Sequence, residues 1–329
     1  MGISRLSVLA QYESVQEMTQ QVFKSQYPIL EACMNKGSTL PLALAVHRAG
    51  GYPSLCSWTY NRHFSAMQAD LDQFVAETGN NCIHLSFELD ELPELSVCYN
   101  IVKSHDVPTI EIIYGQTNAP GVDNSTFIDM DRAVAELLKP LHDMGTKIFR
   151  RIYEPVDQET MNQHYLDGFC IKGLEAAGFG GFEPVHDLFL KQKELTPGAM
   201  LIPYGGIGTA AQVREYLDLG AEMVGVGTVL ALSEESTIKH ETKLAVIAAR
   251  KDDLKQVRHV YPNGKERKQN MLQFEPYQGR DDANGTAGLV RGIWKKNSKV
   301  GHIYVGHSVD HIDSILPCRQ IIKNLVADL

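Results

Sequence analysis

The sequence has no CxxC pair and no run of about 20 consecutive apolar residues, the length a membrane-spanning helix needs. Its six cysteines, Cys33, Cys56, Cys82, Cys98, Cys170 and Cys318, are scattered, mostly within apolar runs. Without paired spacing they read as reduced packing thiols, so neither a disulfide framework nor a metal site is expected. Positive charge is also in short supply. The 31 Lys and Arg against 40 Asp and Glu leave a net charge of -9, which argues against a general nucleic-acid-binding surface. The opening residues, MGISRLSVLAQYESVQEM, lack the apolar core of a signal peptide, and Leu6 occupies the place where a myristoylation site needs Ser or Thr. The expectation is a cytoplasmic protein with no membrane partner.

What is present is alternation. Short apolar runs at Pro28–Ala32, Tyr52–Ser57, Cys82–Phe87, Thr109–Tyr114, Lys147–Ile152, Gly168–Lys172, Met200–Tyr204 and Met223–Val226 read as strands. Between them, amphipathic segments at Leu40–Ala49, Phe64–Thr78, Leu92–His105, Met130–Met144, Gln158–Leu166 and Thr209–Leu219 read as helices. Gly173 to Ala199 is less regular, with a short helix near Val185–Lys191. Alternating strands and helices imply parallel βαβ units, and eight strands suggest a closed (β/α)8 barrel over residues 1–240. The pattern changes afterwards. A helix near Thr237–Arg250, a basic stretch, a Gly- and Asp-rich loop and a closing helix at Ile315–Ala327 read as a lid subdomain, 241–329, over one barrel mouth.

The most informative stretch is LIPYGGIGTAAQVREYLDLGAEMVGVGT, residues 201–228. Two strands each stop at small residues, one helix apart. In a (β/α)8 barrel the last two strands often carry a phosphate site, because glycine lets backbone N–H groups approach phosphate oxygens and a helix start adds partial positive charge. Gly205, Gly206, Ile207, Gly227 and the Thr228 hydroxyl are the candidate ligands.

This block resembles the nitronate monooxygenase family, whose members bind FMN in a barrel. YPILEACM at 27–34, LALAVHRAGG at 42–51, CIKGLEAAGFGG at 170–181 and the closing GHIYVGHSVDHIDSILP are similar to further family blocks, so the resemblance covers about residues 25–320. The final βαβ block is shared with other FMN barrels, including flavin enoyl reductases, and specifies cofactor better than substrate.

The resemblance implies noncovalent FMN, with Met34 and Asn35 against the flavin ring and Gly178 beside it. It also exposes departures. Phe179 stands at the family's usual proton-abstracting histidine, and a phenyl ring cannot accept a proton. Lys172 stands at a family glutamine, where an ammonium could stabilise a reduced flavin or anchor an acidic substrate. His84, read as pointing into the mouth, is the substitute acid–base candidate. Cys33 replaces a proline and reads as a buried spacer. Glu111, Arg151, Phe179 and His307 are the candidate substrate pocket, with an internal ion pair as the alternative for the first two. The basic run Lys265–Lys268 reads as a solvated face. Oxidation of a nitronate or related carbon acid, with O2 or another acceptor reoxidising the flavin, is the leading expectation. The alternatives are an NAD(P)H-dependent enoyl or quinone reductase and a flavin-binding partner protein without turnover. The apolar closing helix leaves a homodimer open.

Overall fold

All eight expected strands form, and their register closes a barrel. The computed structural model describes residues 19–61, 63–89, 92–114, 124–260, 266–274 and 301–329. The barrel strands are β1 (Ile29–Glu31), β2 (Ser54–Cys56), β3 (His84–Leu89), β4 (Thr109–Tyr114), β5 (Lys147–Ile152) and β6 (Gly168–Lys172). A short strand outside the barrel, β7 (Gly178–Gly180), precedes the last two barrel strands, β8 (Met200–Tyr204) and β9 (Val224–Val226). Neighbours pair in parallel from β2 through β6 to β8, β9 and β1, and a single Leu30–Tyr52 bridge joins β1 back to β2. The result is a nearly closed TIM barrel.

Period-two alternation divides each strand between two environments. On β3, Leu85, Phe87 and Leu89 pack outward into the large core shared with the helices, while His84 and Ser86 bond to β4 side chains inside. A separate inner cluster, including Phe23, Leu30, Tyr52, Phe149, Met200 and Met223, floors the barrel. The helices follow the expected segments with small boundary shifts. The fourth begins earlier than its periodicity indicated, at Asn124, and the helix after β7 runs on to Leu195. The closing helix Cys318–Leu325 packs on Leu40–Arg48 and on Ala210–Asp218, bridging the outer ring at the barrel seam.

The C-terminal region holds two features the sequence reading did not anticipate. Its basic stretch forms antiparallel strands, β10 (Lys255–Val260) and β11 (Glu266–Phe274), with β12 (Gly301–Tyr304) on the far side of β11. Strand β7, from the loop after β6, pairs with the same β11, so the sheet is stitched to the barrel by backbone bonds. The expected solvated basic face is therefore corrected. Lys268 is fully buried and Arg267 nearly so, because β11 lies against the loop after β6; Lys265 and the Gly- and Asp-rich loop lie outside the described residues. No helix among the described residues is long and apolar enough to cross a membrane.

Candidate active site

The C-terminal strand ends carry the two glycine turns. Gly205 and Gly206 follow β8 with φ of +113° and +75°, conformations that favour glycine. A Cβ on Gly205 would stand 2.8 Å from the Ala176 Cβ, and one on Gly206 2.7 Å from the Glu175 Cβ. This turn thus packs directly on the loop after β6, whereas Gly227 of the second turn faces Ala32 and Met34. The following helix Ala210–Asp218 starts at a reciprocal cap. The Thr209 hydroxyl accepts from the Gln212 amide, while Gln212 Oε1 accepts from the backbone N–H of Gly208 (2.9 Å) and Thr209 (3.2 Å). That cap consumes three N–H groups, those of Gly208, Thr209 and Gln212. On the neighbouring turn, Thr228 Oγ1 accepts from the Gly306 N–H at 3.0 Å, and its own proton stays available to donate.

The loop Gly173–Ala177 is the hub. Lys268 Nζ donates to the Leu174 carbonyl, and Asn270 Nδ2 donates to the carbonyls of Leu174 and Ala176, each at 2.9 Å. The His307 N–H donates to the Glu175 carbonyl at 2.9 Å, and Lys172 Nζ to that of Ala177 at 3.1 Å. Asn270→Ala would leave the Ala176 carbonyl without its Asn270 donor and the Leu174 carbonyl with Lys268 alone, with an expected loss of about 1–3 kcal/mol. Denaturant unfolding checks this; a loss under a few tenths of a kcal/mol would mean that β11 does not hold the loop. Neither Lys268 nor Asn270 carried a motif; only their place on β11 reveals them.

Burial dominates the charges here. It pushes Lys172 down to about 7, with the nearby Arg151 acting in the same direction, and Lys268 down to about 8. His307, half-buried at the start of the turn His307–His311, is lowered by burial and by Lys268. Phe179 lies on β7 opposite Gln269, and Gly178, at φ +60°, opposite Asn270; both belong to the strand paired with β11. Met34 and Asn35 lie just past β1. The Met34 carbonyl accepts from Thr59 Oγ1 at 3.1 Å, and the buried Asn35 Oδ1 has no partner.

Below the mouth, Arg151 Nε donates to Glu111 Oε1 at 2.9 Å, with a second contact from Nη2 to Oε2, and Ser86 Oγ donates to Oε2 at 3.0 Å. Burial alone would raise the Glu111 carboxyl; the guanidinium outweighs it and holds the group below its usual value. The two residues form a buried ion pair. His84, read as pointing into the mouth, is the first residue of β3, and its ring is fully buried inside the barrel. There it packs edge-on to Phe149 (centroids 5.9 Å apart), and burial pushes its pKa down to about 4. At the opposite end of the barrel, a depression of about 230 Å³ is lined by Lys24, His47, Arg48 and Cys82 and lies far from these strand ends.

The nitronate monooxygenase family model matches residues 16–328. No curated protein matches the chain. Among solved structures, FabK from Thermotoga maritima superposes with a TM-score of 0.73 at 20% identity, covering 94% of each chain. A nitroalkane oxidase from Streptomyces ansochromogenes gives 0.74 at 15% identity, covering 95% of this chain and 97% of the other. The enoyl reductase domain of MlnA from Bacillus amyloliquefaciens gives 0.63 at 13%, covering 95% and 96%. At these identities the superpositions establish the barrel, and the family match over nearly the whole length establishes kinship: the chain belongs to the nitronate monooxygenase family of flavin-dependent oxidoreductases.

Proposed function

We propose that the protein binds FMN at this mouth and oxidises an already ionised carbon acid, a nitronate, with dioxygen as the final acceptor. The observation that carries this reading is the pair of glycine turns, Gly205–Ile207 and Gly227–Thr228, at the ends of the neighbouring strands β8 and β9. The residues fit the cofactor. Gly205 and Gly206 turn the chain at positive φ just past β8, Gly227 puts no side chain at the end of β9, Thr228 retains a hydroxyl proton, and the unpartnered Asn35 Oδ1 offers an acceptor at the β1 end. Gly205, Gly206, Ile207, Gly227 and Thr228 would hold the phosphate; Met34, Asn35, Lys172 and Gly178 would border the ring system. FMN, when bound, supplies the two-electron acceptor.

The chain's own residues then bind and orient. Lys172 would attract an anionic substrate, while Phe179 and His307 would border it. Phe179, at the family's histidine position, offers no proton acceptor, which favours a nitronate over a neutral nitroalkane. His84, enclosed within the barrel, would act from beneath the mouth, alongside the Glu111–Arg151 pair.

Lys172 gives the pH dependence its sign. With a pKa of about 7, it is charged below that value and neutral above it. KM for an anionic substrate is therefore expected to rise above about pH 7, approaching tenfold per pH unit at most. Lys172→Met should flatten the profile at the high-KM level. An unchanged profile in the variant would remove Lys172 from substrate binding.

The deciding experiment is an anaerobic visible spectrum of the protein with FMN, before and after adding propane-2-nitronate. Rapid loss of oxidised-flavin absorbance is the expected result. An unchanged spectrum that then bleaches with NADH or NADPH would favour an NAD(P)H-dependent reductase. That second reading is also favoured by Phe179, since hydride delivery from a nicotinamide needs no base there. No response to either donor would favour a flavin-binding partner protein.

A further inference from the structure

Three side chains far apart in sequence converge inside the barrel. Cys33 lies just past β1, His84 opens β3 and Glu111 lies on β4. One Cys33 Sγ, one His84 ring nitrogen and one Glu111 carboxylate oxygen all lie within 4.8 Å of one another, and all three residues are buried.

The surrounding hydrogen bonds determine which atom His84 offers. Tyr52 Oη lies 3.3 Å from the Ile83 carbonyl and 3.0 Å from Thr109 Oγ1, and His84 Nδ1 lies 2.9 Å from the same Thr109 oxygen. A carbonyl only accepts, so the Tyr52 proton goes to Ile83. The Thr109 proton must then go to Tyr52, since otherwise two oxygens face each other with no hydrogen between them. Thr109 therefore accepts from His84, which places the imidazole proton on Nδ1. His84 Nε2 is left as a bare lone pair, fully buried and without a partner. A metal-binding imidazole is prepared in this way, its far nitrogen fixed by a hydrogen bond.

Glu111 has spare capacity as well. Its Oε2 receives both Arg151 Nη2 and Ser86, but its Oε1 receives only Arg151 Nε, and a carboxylate oxygen offers about two acceptor sites. It can thus take a cation while keeping Arg151.

We propose that Cys33, His84 and Glu111 form a three-ligand site for a thiophilic divalent cation of the zinc class. The sulfur and nitrogen donors favour zinc over magnesium or calcium. Zinc bonds of about 2.0–2.3 Å put tetrahedral ligands roughly 3.3–3.8 Å apart, so the trio must close by about 1 Å from its widest separation. Cys33, outside the strand ladder, is the member placed to move. On binding, the thiol proton leaves to solvent and the thiolate and carboxylate balance the dication. Arg151 then leaves an excess positive charge, which suits an anionic oxygen in the fourth position.

The test uses the full chain, stripped with EDTA and titrated with Zn²⁺ or Co²⁺, with flavin content followed in parallel. The expected result is uptake of roughly one equivalent of zinc, with a thiolate-to-cobalt charge-transfer band for Co²⁺. Cys33→Ser should abolish that band, and Thr109→Val, which removes the imidazole's anchor, should weaken affinity roughly 10–100-fold. If Cys33→Ser fails to fold by circular dichroism, the wild-type titration still decides. A wild type that gives no charge-transfer band and no rise in Tm with Zn²⁺ overturns the proposal, as does a folded Cys33→Ser that keeps the band.

Discussion

Arg151→Met is expected to destabilise the protein by about 3–5 kcal/mol, measured by denaturant unfolding at neutral pH. Arg151 and Glu111 are both almost completely enclosed, with side-chain exposures of 8% and 0%. Removing the guanidinium leaves a carboxylate in a desolvated barrel with only Ser86 as donor. The double replacement Arg151→Met with Glu111→Gln removes both charges and should recover at least half of the loss, because much of the cost of the single change is the stranded charge. The sign with pH follows. Without Arg151, burial raises the Glu111 carboxyl, so the single variant's deficit should shrink as the pH falls and that group takes up a proton. A single variant within 1 kcal/mol of wild type would show that the pair does not organise the interior.

The second large effect concerns Glu31, which alternation with Leu30 turns away from the barrel interior. Its Oε2 accepts the Ser54 N–H at 3.1 Å, while Oε1 is buried without a partner. The side chain thereby ties β1 to β2 where the two strands share only the Leu30–Tyr52 bridge. Burial raises its pKa from 4.5 to about 8, opposed by its bonds to Ser54 and Ser38. A raised carboxyl means that the folded protein holds a proton which the unfolded chain has released. Glu31 therefore lowers stability progressively as the pH rises from about 4.5 to about 8. The full span amounts to on the order of 5 kcal/mol. Glu31→Gln keeps the acceptor for Ser54 without the charge. The difference in stability between variant and wild type should grow across that window in the variant's favour and level off above it. Taking the difference cancels the other shifted groups, such as Glu222, which burial raises to about 7. Parallel wild-type and variant curves would mean that Glu31 stays ionised.

The barrel was legible because its physics is local. Each strand is a short apolar run and each helix an amphipathic one, so period alone located all eight barrel strands. The glycine turns were equally legible, since few residues other than glycine accept the φ values found at 205 and 206. Strand β7 was not. Gly178-Phe179-Gly180 carries no strand signal and pairs only because β11 lies beside it. For the same reason Lys268 looked like a solvated charge, although it is enclosed and bonded to the Leu174 carbonyl.

By itself the sequence determined the fold class, the family and the position of the glycine turns, because all of these reside in contiguous patterns of apolar residues and glycine. Only the tertiary structure decided how the polar interior is arranged. Alternation says which strand residues face inward but not their depth, and barrel closure, which sets that depth, staggers each strand against its neighbours. That stagger seats His84 below the mouth, joins Glu111 to Arg151 and gathers Cys33, His84 and Glu111, three residues whose spacing along the chain carries no sign of their meeting.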